Sequence, residues 1–392
     1  MHGEGARERK KTGERCARRR QGAPVAPAPS YHSAPLERSP LLARHLQRGA
    51  RLAERPEAPG HDAPLSFGDV PAEYAAARTA CALFDQGDRG ALRVSGRDAL
   101  DFLHRLLANH VKALAPGRGN RNLLLAPKGK VQFDFELVRA ADHVSLSTPP
   151  GTANALAAAL ERFHFSEDVR IEATSALHAP LELVGPSAAA VLARVLGSEP
   201  ALEPDGWPTL TWREGALSVG RLDSGALRVD AGPARAPELW DALVQAGARP
   251  AGLAARDCVR VEDGRALFGL DIDENVYPQE AGLEGAFALD KGCYVGQEVV
   301  AKIDTYGGLN KRLVGLRIAH AEPLPRGTPL VLAEDGELRE LGLITSWAYS
   351  FVLDTGLALG YVKRRHQEPG TRFELGGGHG QATLVALPVR AG

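Results

Sequence analysis

Residues 291–303 read KGCYVGQEVVAKI, a lysine and a cysteine set among glycines and followed by a run with helical spacing. A free thiol titrates near 8.5, so half-ionisation at neutral pH needs about 2 kcal/mol of thiolate stabilisation. An exposed lysine supplies about 0–1 kcal/mol. A reactive Cys293 therefore requires either a buried Lys291 or the N-terminal dipole of the helix expected from about Gly296. The competing reading is a small packed residue in a glycine-bounded turn, and on spacing alone that reading leads.

Immediately upstream, residues 254–283 read AARDCVRVEDGRALFGLDIDENVYPQEAGL. A helix over 253–263 puts Arg256 and Arg260 on one face, and Cys258 with Glu262 on another. Two guanidiniums one turn apart make either a carboxylate clamp or a solvated face paired with Asp257. Asp271, Asp273 and Glu274 look like metal ligands, but the glycine and the closing glutamate of a calcium loop are missing, so no metal site is expected. The four cysteines form no CxxC pair, and GxGxxG, Walker, HExxH and GxSxG signatures are absent. Zinc-ribbon, dinucleotide, nucleoside-triphosphate and hydrolase readings lose their support.

The chain of 392 residues with 44% apolar content predicts two or three domains. No window approaches twenty uninterrupted apolar residues, so a cytoplasmic protein without membrane insertion is expected. Residues 1–64 are rich in Arg, Pro, Ala and Gly and read as a disordered tail. Its basic start, from Arg7 to Arg20, offers an RNA-binding alternative, but it lacks interleaved aromatics, and direct nucleic-acid binding is not expected. Residues 65–310 alternate strands and helices without strict beta-alpha-beta order, which points to α+β layers compatible with two ferredoxin-like halves. Residues 311–392 carry short apolar runs separated by Gly and Pro, the pattern of a small β-barrel.

Taken together, the 254–283 stretch, KGCYVGQEVVAKI, the helix LDFLHRLLANHV (100–111) and the turn LLAPKGKV (124–131) resemble the folate-binding YgfZ family, a relative of the glycine cleavage aminomethyltransferases. The resemblance implies two ferredoxin-like domains and a barrel in a ring around a hole that takes tetrahydrofolate or a one-carbon derivative. It implies folate contacts from Arg256, Arg260, Glu262, Phe268, Gly269 and Asn109, with Cys293 and Lys291 as the reactive pair. It further implies a monomer that supports iron-sulfur proteins or their assembly factors, including tRNA-modifying enzymes. Two departures separate the chain from true aminomethyltransferases, which form the alternative reading. Their Asn-Asp pair is Asn109-His110 here, and their G-Y-T-G-E segment has no match in residues 220–230 (GRLDSGALRVD), leaving Asp223 as a guess for the pterin carboxylate.

Overall fold

The computed structural model describes residues 39–53, 63–334 and 337–390, so the expected disordered arm at 1–38 lies outside the described residues. The expected boundary at 64 needs correction. Leu42–Gln47 is helical, and Arg51–Ala53 pairs antiparallel with Ala63–Ser66. Leu41 and His45, four residues apart, are fully buried. His45 Nε2 lies 2.9 Å from Asp85 Oδ2, and Ser39 donates to the same oxygen at 2.9 Å. A six-residue helix is too short for its periodicity to stand out, so tertiary contacts decide its existence.

Two sheets follow. The first has the strand order Arg118–Leu125, Val131–Arg139, His143–Thr148, Gly90–Ser95, Arg170–Ala173, antiparallel throughout. The strands Gly90–Ser95 and His143–Thr148 alternate buried and half-buried residues with period two, and the buried Leu92, Val94, Leu137 and Leu146 pack under Phe102, Leu103, Leu156 and Leu160 of the helices Ala99–Leu106 and Ala153–Glu161. The hairpin turn after Leu125 is closed by Ala126 N to Lys130 O at 2.8 Å, with Gly129 at φ +77°.

The second sheet runs Thr209–Trp212, Gly215–Arg221, Leu227–Asp230, Leu181–Val184, Ala82–Asp85, Arg249–Pro250, the last pair parallel. Leu181, Leu183, Leu227 and Val229 pack against Leu239, Trp240 and Leu243 of the helix Ala236–Gln245. The same alternation sends Glu182 and Arg228, which face each other in register, to the opposite side.

The C-terminal strands close into a six-stranded barrel ordered Lys311–Ile318, Thr355–Lys363, Glu337–Ser350, Pro329–Glu334, Arg372–Leu375, Gln381–Val385. The helix Leu253–Glu262 packs on its longest strand. Glu262 fastens this junction: its fully buried carboxylate accepts from Tyr74 Oη at 2.6 Å, Arg78 Nη2 at 2.7 Å and Ser350 Oγ at 2.7 Å. Among the described residues no helix is long and apolar enough to cross a membrane.

Candidate functional site

The polar faces of the two sheets, the helix Leu253–Glu262 and the segments after it enclose a cavity of about 860 Å³. Its wall carries a ladder of alternating charge. Arg89 pairs with Glu136, and Arg228 Nη1 lies 3.2 Å from Glu136 Oε2. Arg228 Nη2 lies 3.8 Å from Glu182 Oε2, and Arg256 Nη2 is 3.5 Å from the same oxygen. Burial pushes the Glu136 carboxyl up, but the Arg228 and Arg89 guanidiniums beside it more than reverse this and hold it down at about 2. Nearby, Arg121 Nε donates to Asp134 Oδ1 at 2.8 Å. Asp223 also lines the cavity, and there burial raises its carboxyl above the ordinary value against the pull of Arg121.

Trp207 provides a flat wall. A Cβ at Gly220 would lie 2.2 Å from its ring, and one at Gly119 2.8 Å, so only glycine at these strand positions lets the indole lie against both strands. Phe268 lines the cavity too and stacks on Phe133 with ring centroids 6.4 Å apart.

Arg256, Arg260, Phe268 and Gly269 all border this space. Arg260, however, spends its guanidinium on the protein: Nε on Asp257 at 2.6 Å, Nη1 on Asp271 at 3.0 Å and Nη2 on Ser346 at 3.0 Å. Arg256 has a single long contact and a side chain 28% exposed, so it is the freer of the two. Glu262 does not line the cavity; its four acceptor contacts, including Val352 N at 3.3 Å, bind the barrel to the helix. Asn109 sits beneath the wall, donating to Arg121 O at 3.0 Å and Gly285 O at 2.9 Å while accepting from His110 N at 2.8 Å.

Lys291 and Cys293 fall elsewhere. Neither lines the cavity. Lys291 is buried and its Nζ donates to His104 O at 2.6 Å and to Leu107 O, satisfying carbonyls at the end of the helix Ala99–Leu106. Burial pushes this ammonium down to about 8. Cys293 is an exposed free thiol, and the helix Gln297–Tyr306 begins four positions later behind Gly296. The lysine charge is thus directed to helix carbonyls.

Sequence reasoning passed over Arg89, Glu136, Glu182, Arg228 and Trp207. A signal was available: Leu-Glu-Leu at 181–183 and Leu-Arg-Val at 227–229 each place one charge between two apolar residues, with opposite signs.

The arrangement defines a chain of two layered sheets and a C-terminal barrel, with a cavity of small-molecule size enclosed between the sheets. Residues 41–291 match the GCVT N-terminal domain and residues 311–389 the glycine cleavage T-protein C-terminal barrel domain, so the chain belongs to the glycine cleavage T-protein family. It is 30% identical to the aminomethyltransferase of Halothermothrix orenii over 86% of this chain and 94% of that one. It is 32% identical to that of Rubrobacter xylanophilus over 83% and 87% respectively. The crystal structure of glycine cleavage system aminomethyltransferase T from Bartonella henselae superposes with a TM-score of 0.79 at 26% identity, covering 90% of this chain and 98% of that one.

Proposed function

We propose that the protein binds tetrahydrofolate or a one-carbon derivative in the cavity and serves aminomethyl-type one-carbon transfer, the activity named in its relatives. The observation that carries this reading is the cavity's chemistry: a flat aromatic wall at Trp207, polar groups on both sheets, and the partly exposed guanidinium of Arg256. A pterin fits a flat polar slot, and a glutamate tail fits a guanidinium. Bound reduced folate supplies the nucleophilic nitrogen that carries a one-carbon unit. Arg256 would hold the carboxylate end, Phe268 and Trp207 would exclude water from the ring, and Asp223, with its raised carboxyl, is the wall residue suited to carry a proton. Asn109 carries no acidic proton, and its amide nitrogen is engaged on Arg121 O and Gly285 O. His110 is engaged with Asp290 at 3.1 Å and does not border the cavity.

Titration with tetrahydrofolate, followed by Trp fluorescence, tests the binding. Arg256→Ala should weaken it about ten- to hundredfold, and absence of binding by the unaltered protein would remove the reading.

A second reading, a YgfZ-like protein supporting iron-sulfur enzymes, draws on K-G-C-Y-x-G-Q-E and on the Asn109-His110 replacement. It predicts that the protein binds folate but forms no methylenetetrahydrofolate from an aminomethylated lipoyl carrier protein. Robust formation of that product would decide for transfer.

A further inference from the structure

Arg228 is poorly placed to hold a ligand itself. It borders the cavity, yet it is 4% exposed and its Nε and Nη1 are buried. What it does reach is carboxylate: Nη1 lies 3.2 Å from Glu136 Oε2, and Nη2 lies 3.8 Å from Oε2 of Glu182, its partner in register. Burial disfavours the Arg228 charge, but Glu136 and Glu182 more than reverse this and hold the guanidinium above its ordinary value.

Glu182 Oε2 is shared. Arg256 Nη2 approaches the same oxygen at 3.5 Å, longer than the roughly 2.7–2.9 Å of a strong charge-assisted bond. Glu182 thus divides its charge between two guanidiniums, and Arg256, the more exposed of them, is held loosely. Along the connected ladder, Arg89, Arg228 and Arg256 face Glu136 and Glu182, which leaves one positive charge in excess. That excess is offered to the cavity at Arg256. Without the Arg228 charge, Arg89 still has Glu136, Glu182 has only Arg256, and the excess vanishes. A buried carboxylate deprived of one counter-ion closes on the other, because an unpaired buried charge is costly. Without Glu182 as well, the excess returns.

We propose that Arg228 is a positioning residue for recognition of the ligand's carboxylate: by drawing on Glu182, it keeps that side chain from neutralising Arg256. The identity of the ligand rests on the folate reading above, whereas the state of Arg256 is measurable without folate.

The test compares wild type, Arg228→Gln, Glu182→Gln and the double variant, each as the full chain. Tetrahydrofolate affinity, read by Trp fluorescence, should fall roughly ten- to hundredfold in Arg228→Gln and return to within about threefold of wild type in the double variant. Tetrahydrofolate diamide, whose tail is neutral, should bind all four alike, which separates an effect on Arg256 from a general distortion of the cavity. Arg228→Lys, which keeps the charge, should retain most of the affinity. Without folate, phenylglyoxal labelling of Arg256, resolved by peptide mass spectrometry, should slow severalfold in Arg228→Gln and recover in the double variant. Circular dichroism identifies a variant that fails to fold; Glu182→Gln, which should bind tetrahydrofolate at least as tightly as wild type, then carries the comparison. Equal weakening of tetrahydrofolate and its diamide, no recovery in the double variant, or weaker binding by Glu182→Gln would each overturn the role of Arg228. If wild type binds no tetrahydrofolate, the folate reading falls and the labelling pattern decides the role of Arg228.

Discussion

Replacement of Glu262 tests the junction between the helix Leu253–Glu262 and the barrel. Its carboxylate is fully buried and accepts from Tyr74, Arg78, Ser350 and the Val352 amide. Removing one partner of a buried pair costs about 3–5 kcal/mol where the remaining charge is orphaned. Arg78 keeps Asp263 Oδ1 at 2.8 Å and Val259 O at 3.2 Å, so its charge is not orphaned and the lower end applies. We expect Glu262→Ala to lose about 3 kcal/mol, roughly a hundredfold in the unfolding constant. Glu262→Gln keeps the shape and one acceptor, and should lose about 1–2 kcal/mol. Urea titrations of the three proteins give these values from the midpoint shifts. Tetrahydrofolate affinity of the folded variants should stay within about threefold, because the side chain does not reach the cavity, a difference of under 1 kcal/mol. A Gln variant as stable as wild type, or a large loss of folate binding at unchanged stability, would refute the reasoning.

Three further outcomes follow from the same geometry. Because the folded-state value of Glu136 lies below the unfolded one, its stabilisation, on the order of 3 kcal/mol, is present above about pH 4.5 and is lost as pH falls toward 2; Glu136→Gln should flatten that part of the melting-temperature profile. Lys291 has the opposite sense: its folded-state value of about 8 lies below that of a free lysine, so the unfolded chain binds more protons from about pH 8 to 10.5 and stability rises with pH there. Lys291→Met should abolish the rise in melts recorded across that range. Cys293 should be alkylated by iodoacetamide much faster than buried Cys81 and Cys258, whose thiols burial pushes up to about 12, and saturating tetrahydrofolate should not protect it. Peptide mass spectrometry resolves each site, and protection of Cys293 would place it at the ligand.

Much of the architecture was legible because its signals are local. The alternation HVSLST marks His143–Thr148, and the helical spacing of Leu103 and Leu106 with Phe102 marks Ala99–Leu106. The barrel strands announced themselves through short apolar runs between turns, and the closure of six of them is seen in the structure. The first described helix was hidden, since Leu41 and His45 gain meaning only against Trp240 and Asp85, forty or more residues away.

The site divides along the same line. The sequence by itself determined which segments are dense in chemistry and that Arg256 lies on a helix face, and the family resemblance it carries pointed to Arg256, Phe268 and Gly269, which border the cavity. Only the tertiary structure decided where each charge is spent. Lys291 goes to the carbonyls of a helix almost two hundred residues earlier, Glu262 to the barrel, and Arg260 to Asp271 and Ser346. Arg228 and Glu136 become partners although they are distant in sequence and lie on different sheets. Charges interact by distance in space and by the solvent excluded between them, and neither quantity exists until the two sheets and the barrel have packed.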